Sequence, residues 1–358
     1  MSNVQLFNNI KVHTQYSICE GAIKIEDLAS YCKEKKIRNV GICDSYNLCG
    51  ALEFAEKVSK SGTQPIIGTQ INFYLEGVVG RLSLFAISPT GYKNLIELSS
   101  KSYLTSDEKS DPHCKIDELI SSNLDLILLS GNLYGLFGKL FKLNKLKQIE
   151  IFVKELKNIF KDRFYFEIQR HNEVGEENFE NFMINLSVKY QIPLIATQEI
   201  YYLTKDMYEA HDALVCIGQK NFVSDTNRIK YSDQHYFKKN DELAELFKDI
   251  PEALENNYNF PFRFNFKPKK SEPVLPTIKT KKNVTVEEEL LTQAKEGLKN
   301  RLNNFILKKN NDEKTNDISK QYENRLAHEI NIINSMNYSG YFLIVSDYIR
   351  WSKKNSIP

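Results

Sequence analysis

The sequence contains no apolar run close to the ~20 residues that span a bilayer. Its first residues, "MSNVQLFNNIKVH", lack the basic start and apolar middle of a secretion signal. A cytoplasmic protein with no membrane segment is therefore expected. An excess of one charge is also missing: 48 Lys and Arg stand against 46 Asp and Glu, a formal charge of +2. That balance excludes any argument for nucleic-acid binding from net charge alone. The six cysteines (Cys19, Cys32, Cys43, Cys49, Cys114 and Cys216) make no C-x-x-C pair and no zinc-ribbon spacing. Most lie in apolar patterns, so buried free thiols in a reducing compartment are expected.

What is present is the balance of a globular chain, with 41% hydrophobic and 26% charged residues. The length suits two domains at ~150 residues each. Seven short apolar runs read as strands: "NIKVH" (9–13), "NVGIC" (39–43), "PIIGT" (65–69), "LSLFAI" (82–87), "LDLILLS" (124–130), "FYFEIQ" (164–169) and "PLIAT" (193–197). Amphipathic stretches separate them. One has Ile25, Leu28 and Cys32 on a face, another Leu52, Ala55 and Val58, a third Ile149, Val153, Leu156 and Phe160. Regular alternation predicts parallel strands with helical crossovers. Seven such units without a dinucleotide fingerprint predict an α/β fold closed as a (β/α) barrel.

In a barrel the carboxyl ends of the strands open onto one face, where sites are built. Here the runs close on Val12-His13, Cys43-Asp44-Ser45, Thr69-Gln70, Ser130-Gly131-Asn132, Arg170-His171 and Thr197-Gln198-Glu199. These polar ends are predicted to share a cleft. His13 at the first strand end, with Glu20 just before a glycine, has the pattern of a metal-site rim.

Near residue 260 the character changes. "NFPFRFNFKPKKSEPVLPTIKTKKNVT" is rich in proline and lysine without a helical period, and reads as an extended linker. The lysines of "KPKKSEPVLPTIKTKK" are read as solvated charge rather than a DNA contact, because no aromatic residues interleave with them. Two helical patterns follow. The first opens on a capping box, Thr285 with Glu288, and carries the stripe Leu291, Ala294, Leu298 and Leu302. The second carries Tyr322, Leu326, Ile330 and Ile333. The run Tyr341-Phe342-Leu343-Ile344-Val345 is expected in a core, and residues 322–358 are expected to be partly disordered or aggregation-prone in isolation. The apolar ending, "SGYFLIVSDYIRWSKKNSIP", reads as a cut through a larger protein.

Together these blocks resemble the alpha subunits of bacterial DNA polymerase III, the C family of replicative polymerases. "KVHTQYSICEGAIKIEDL", "GICDSYNLCGALEF", "QPIIGTQI", "SPTGYKNLIELSSKSYL" and "IPLIATQEIYYLTKDMYEAHDALVCI" match, in order, that family's amino-terminal PHP (polymerase and histidinol phosphatase) domain. "YENRLAHEINIINSMNYSGYFLIVSDYIRWSKKNSIP" resembles its entry into the polymerase palm. The resemblance implies a PHP domain over residues 1–260, a distorted seven-fold (β/α) barrel, then a linker over 261–284 and a truncated start of the palm over 285–358. It places the family's Mg²⁺-binding catalytic aspartates beyond residue 358, so no catalytic residue and no cofactor are expected in this piece. The implied parent is a DNA-directed DNA polymerase using Mg²⁺. Its implied partners are a proofreading exonuclease subunit, a sliding clamp, other replicase subunits and primer-template DNA.

Active PHP domains hold a metal cluster on imidazole and carboxylate ligands, which suit Zn²⁺ or Mn²⁺ and activate a bound water. At the matching positions most of those ligands are replaced. The His-x-His motif is Lys11-Val12-His13, and the aspartate before the glycine is Glu20. The Asp-His pair is Asp44-Ser45, and the glutamate after "PIIG" is Gln70. A histidine at the start of the next strand is Arg81, and the ligand after Ser130-Gly131 is Asn132. The late Asp-x-His is Glu199-Ile200-Tyr201. His171 stands where the family often has histidine and is read as a hydrogen-bonded loop residue. Three donors remain, His13, Glu20 and Glu199, and the cations Lys11 and Arg81 are expected to neutralise the surviving carboxylates in place of a metal. The resemblance therefore implies a metal-free structural barrel that docks the exonuclease subunit. An active PHP phosphoesterase or 3′–5′ exonuclease is the alternative, and a stand-alone adaptor is a third possibility. His113, His235 and His328 are read as ordinary surface or helix residues, and His211 as a packing residue.

Overall fold

The structure, a computed structural model, describes residues 6–106, 110–272, 274, 276–280, 284–306 and 315–357. It divides into two compact units, Met1–Lys270 and Ser271–Pro358.

The first unit is built on a mixed sheet. Its strands among the described residues are β1 (Asn9–Val12), β2 (Asn39–Ser45), β3 (Gln64–Leu75), β4 (Val78–Ala86), β5 (Cys114–Lys115), β6 (Leu126–Leu129), β7 (Phe164–Ile168), β8 (Leu194–Ala196) and β9 (Glu199–Ile200). The order is β8-β7-β6-β4-β3-β2-β1-β9, with β5 paired to β3 off that path. β8 and β9 stand at opposite edges, yet only Thr197 and Gln198 separate them in the chain. The two edges are thus halves of one interrupted strand, and the sheet curls to bring them together. Each of the seven apolar runs coincides with all or part of an observed strand; β5 and β9 lie outside them.

Direction is where the sequence reading fails. β4 runs antiparallel to both β3 and β6, so the sheet is mixed rather than uniformly parallel. The reason is local. Glu76 and Gly77 join β3 to β4 with φ of 50° and 81°, the left-handed pair that a two-residue hairpin turn requires, and no crossover helix intervenes.

Alternation along the strands separates packing from site. Ile66, Phe85, Ile127, Tyr165 and Ile195 point inward and form one cluster with Ile10 and Cys43. With a period of two, the same inward face continues to Gln70 on β3, to Glu167 and Gln169 on and after β7, and to Glu199. On the reversed β4 the polar residue comes first, so Arg81 precedes Phe85 in sequence. At β1 the register with β2 shifts between Asn9 and Val12. A bulge of this kind re-aims side chains. Here Ile10 joins the inner cluster, while Lys11, the next residue, also reaches the interior carboxylates.

The other end of the curl is stoppered. Phe260 and Phe264 are buried in the inner cluster, and Phe260 meets Phe85 edge-on with centroids 5.5 Å apart. Gln64 Nε2 donates to the Pro261 and Phe264 carbonyls at 3.1 and 2.8 Å. These residues pack as part of the first unit, which continues to Lys270. The outer face of the sheet is covered by helices. Ile25–Glu34 and Ala51–Lys60 bury Leu28, Cys32, Phe54 and Val58, and Leu146–Phe160 buries Ile149, Val153, Leu156 and Phe160.

The second unit contains the helices Val286–Arg301, Thr315–Ser335 and Ser339–Lys354. Thr285 Oγ1 accepts from Glu288 N at 3.2 Å, and Glu288 Oε2 accepts from Thr285 N at 2.9 Å, a reciprocal cap. Leu290, Ile330 and Leu343 form its small core. The run Tyr341–Val345 is not a core segment here. A helix turns only part of it inward, so Leu343 is buried while Tyr341, Phe342 and Val345 are exposed. Tyr348, Ile349 and Trp351 extend the exposed apolar surface. Surface of this kind drives association. The chain is expected to sediment as concentration-dependent oligomers that Tyr348→Ser with Trp351→Ser reduces to monomer. Unchanged sedimentation in that variant would remove this surface as the cause.

Candidate functional site

The polar strand ends converge on a filled cleft rather than an open one. Lys11 Nζ, fully buried, lies 2.8 Å from Glu167 Oε1 and 2.8 Å from Glu199 Oε1. Lys11 and Glu199 are register partners on β1 and β9, which accounts for their meeting. Burial by itself would depress the Lys11 ammonium, but the two carboxylates overcome it and hold its pKa well above the ordinary lysine value. Glu199 mirrors this. Burial pushes its carboxyl up, and Lys11 and then His13 pull it well below the usual range.

The oxygens of Glu199 are fully engaged. Oε1 takes Lys11 and a short bond from Gln70 Nε2, and Oε2 takes Asn132 Nδ2 at 3.1 Å and Tyr201 Oη at 3.0 Å. A carboxylate offers about four lone-pair directions, so little remains for another ligand. Glu167 is occupied in the same way, by Lys11, Gln169 Nε2 at 2.6 Å, Thr197 Oγ1 and the Gly131 amide at 3.1 Å. Tyr201 is held as a neutral phenol because burial, then Glu199, push its pKa well above the ordinary value.

A second ion pair closes the rim. Arg81 grips Glu20 with both terminal nitrogens, one at 3.0 Å, while Ser45 Oγ donates to Glu20 Oε2 at 2.5 Å. Arg81 Nε donates to the Tyr46 hydroxyl at 2.9 Å. Burial would raise the Glu20 carboxyl, and Arg81 brings it below its ordinary value. Asp44 is tied to neutral donors, the Thr14 amide at 2.6 Å, Thr14 Oγ1 at 2.8 Å and Ser17 Oγ at 2.6 Å. Burial raises its pKa despite these bonds. His13 Nδ1 is 3.3 Å from Ser17 Oγ, and its Nε2 is 3.8 Å from Glu199.

His171 sits lower in the same network. Its Nε2 accepts from the Glu199 amide at 3.2 Å, and its ring stacks on His235 with centroids 4.1 Å apart. Burial, reinforced by His235, drives its pKa well below the usual histidine value, so the ring is neutral. His235 is therefore not an ordinary surface residue. It is buried, and its Nδ1 lies 3.1 Å from the Glu199 carbonyl. Tyr202 and Tyr236 pair as an isolated bridge, which carries His235 to the cleft from a distant part of the chain. His211 packs, with Nε2 2.7 Å from the Glu20 carbonyl. His113 bonds its own loop at the Asp111 carbonyl, and His328 is exposed on a helix. Glu167, Tyr46 and His235, together with Thr14, Ser17 and Gln169, are site residues that the sequence reading does not single out.

Whether this set could hold divalent ions is decided by what the carboxylates already bind. Among the described residues, no group of three His, Cys, Asp or Glu side chains is arranged to hold a metal ion. Glu20, Glu167 and Glu199 are each engaged by a cation and further donors, and an ammonium lies between two of them. This donor set does not fit a metal cluster.

The comparisons place the chain. Residues 9–171 match the PHP domain family, and residues 288–358 match the family described as Bacterial DNA polymerase III alpha NTPase domain. The chain is 38% identical to the DNA polymerase III subunit alpha of Rickettsia bellii over 98% of its own length and 30% of that protein's. It is 37% identical to the same subunit of Caulobacter vibrioides over 99% of its length and 31% of that protein's. The chain belongs to the DNA polymerase III alpha family. It spans about 30% of the length of these relatives and corresponds to their amino-terminal region, a PHP domain and the start of the following family domain. The PHP match ends at His171, so β8, β9 and Glu199 of this family member lie past it. A slight structural likeness, TM-score 0.37 at 7% identity, covers 58% of the chain and 96% of an amidohydrolase from Chromobacterium violaceum. No helix among the described residues is long and apolar enough to cross a membrane.

Proposed function

We propose that this chain is the amino-terminal platform of a cytoplasmic replicative DNA polymerase, and that its PHP barrel is a metal-free support. In this reading residues 1–260, closed by the Phe260–Phe264 plug, form the support, the residues between that plug and 284 a linker, and 285–358 the entry to the palm. The full-length parent adds nucleotides from dNTPs to a primer 3′ end with Mg²⁺ held by residues further along the chain. The barrel docks a separate proofreading exonuclease subunit, while the sliding clamp, other replicase subunits and primer-template DNA are engaged through the parent.

The observation that carries the metal-free reading is the buried Lys11 ammonium between Glu167 and Glu199. An ammonium there supplies the positive charge that those carboxylates need, without a Lewis acid or an activated water. The carboxylates Glu20, Glu167 and Glu199 are thereby committed to cations and neutral donors of the chain itself rather than to a metal-bound water. The test is metal content. Purified chain incubated with Mn²⁺ or Zn²⁺ and desalted is expected to retain far less than one equivalent and to show no chelator-sensitive nuclease or phosphoesterase activity. Stoichiometric metal that a chelator removes together with activity would establish the enzymatic alternative instead.

A further inference from the structure

At the amino ends of β1 and β2, away from the cleft, the first unit has a cavity of about 980 Å³. Lys36, Arg38 and Lys239 line it together with Tyr31, Tyr258 and Phe262. A second hollow of about 640 Å³ is lined by Lys157, Lys161, Arg263 and Tyr165. Phe262 borders one and Arg263 the other, so the Phe260–Arg263 turn stands between them. Some of the cations here are committed. Arg263 pairs with Asp162 at 2.7 Å, Lys157 Nζ donates to the Tyr190 carbonyl at 2.7 Å, and Lys35, also in the wall, pairs with Glu34 at 2.7 Å. Lys36, Arg38, Lys161 and Lys239 make no ion pair among the described residues. Asp241 is the carboxylate in the larger wall.

Phe262 sets this face apart from ordinary lysine-studded surface. It is 86% exposed, while its neighbours Phe260 and Phe264 are 1% and 5% exposed and do the packing. A phenyl ring is thus offered to solvent between two basic hollows. Unpaired cations bind phosphates regardless of sequence, and an open aromatic face stacks any base that is free of a partner strand.

We propose that this floor binds single-stranded nucleic acid, with phosphates on Lys36, Arg38, Lys161 and Lys239 and a base stacked on Phe262. The occupant is single-stranded because a base held in a duplex cannot present its face to the ring. The proposal goes beyond the support role and is independent of the metal state of the cleft.

The test is fluorescence anisotropy of the 358-residue chain with a labelled oligothymidylate of about twelve nucleotides, within the usual footprint of such sites. Phe262→Ala is expected to weaken binding about tenfold, the scale of one lost stacking contact. Lys36→Ala with Arg38→Ala and Lys239→Ala is expected to weaken it further and to flatten the salt dependence by about two units of slope, at ~0.7 per phosphate contact. All four side chains are outside the core, and thermal melting of each variant checks that the fold is kept. Competition by duplex or by polyglutamate as effective as by unlabelled oligothymidylate would overturn the proposal. So would undetectable binding, or variants that bind like the parent.

Discussion

Replacing Lys11 with methionine is expected to lower the stability of the first unit by about 3–5 kcal/mol, the usual result of breaking a buried ion pair from one side. The side chain is fully buried, and its removal leaves Glu167 and Glu199 facing each other without a cation. The size of the effect comes from stranding those charges, so removing them too should restore most of it. Lys11→Met combined with Glu167→Gln and Glu199→Gln is expected to be far more stable than Lys11→Met alone. The pH dependence separates the two proteins. In the parent, Glu199 and Glu20 have depressed pKa values, so their contribution is present above the ordinary 4.5 and is lost as pH falls through the lower folded values. Lys11 has a raised value, so its contribution is present below 10.5 and is lost only as pH rises beyond it. In Lys11→Met the sign reverses. Unpaired buried carboxyls have raised values, the folded state binds more protons, and the deficit against the parent narrows as pH is lowered from 8 to about 5. Urea denaturation at both pH values reads this out. A Lys11→Met protein as stable as its parent, or a deficit that widens in acid, would show that Lys11 does not neutralise this cluster.

Phe260→Ala is expected to cost about 3–5 kcal/mol, as truncations of large buried aromatics do. The ring is 1% exposed and touches Phe85, Tyr165 and Phe264, with centroids 5.5, 6.1 and 5.0 Å away. Phe85 in turn lies against Gly68, where an added Cβ would sit 2.4 Å from its ring. Phe262→Ala, two residues away, is expected to change stability by less than about 0.5 kcal/mol because that side chain is solvated. Equal midpoints for Phe260→Ala and Phe262→Ala in urea would mean that the floor of the sheet is not held by this plug.

Much of this architecture is legible in the sequence, and what is not has identifiable causes. The apolar runs mark the seven strand sites because each needs an inward and an outward hydrophobic face. The motif positions lead to Lys11, Glu20, Arg81 and Glu199, whose side chains do meet. Strand direction was missed at β4 because it depends on two residues, Glu76 and Gly77, and not on the apolar pattern. Glu167 was missed although "FYFEIQ" holds the signal: Tyr165, Glu167 and Gln169 share one face of a strand whose other face is Phe164, Phe166 and Ile168. An acid two residues from a packed ring on an inward face has to find a cation. His235 had no such local signal, since its place depends on a bridge between Tyr202 and Tyr236 that joins distant segments. An apolar run such as Tyr341–Val345 does not by itself mark burial, because the helix that carries it turns only Leu343 fully inward.

The interrupted strand has a bearing on biosynthesis. β1 gains its neighbour on one side from β2 early in translation, but its other neighbour, β9, begins at Glu199. Lys11 consequently leaves the ribosome long before either of its counter-charges. A nascent chain shorter than about two hundred residues lacks Glu199 and carries an open sheet edge at β1, the kind of late, non-local closure that slows folding and favours chaperone capture.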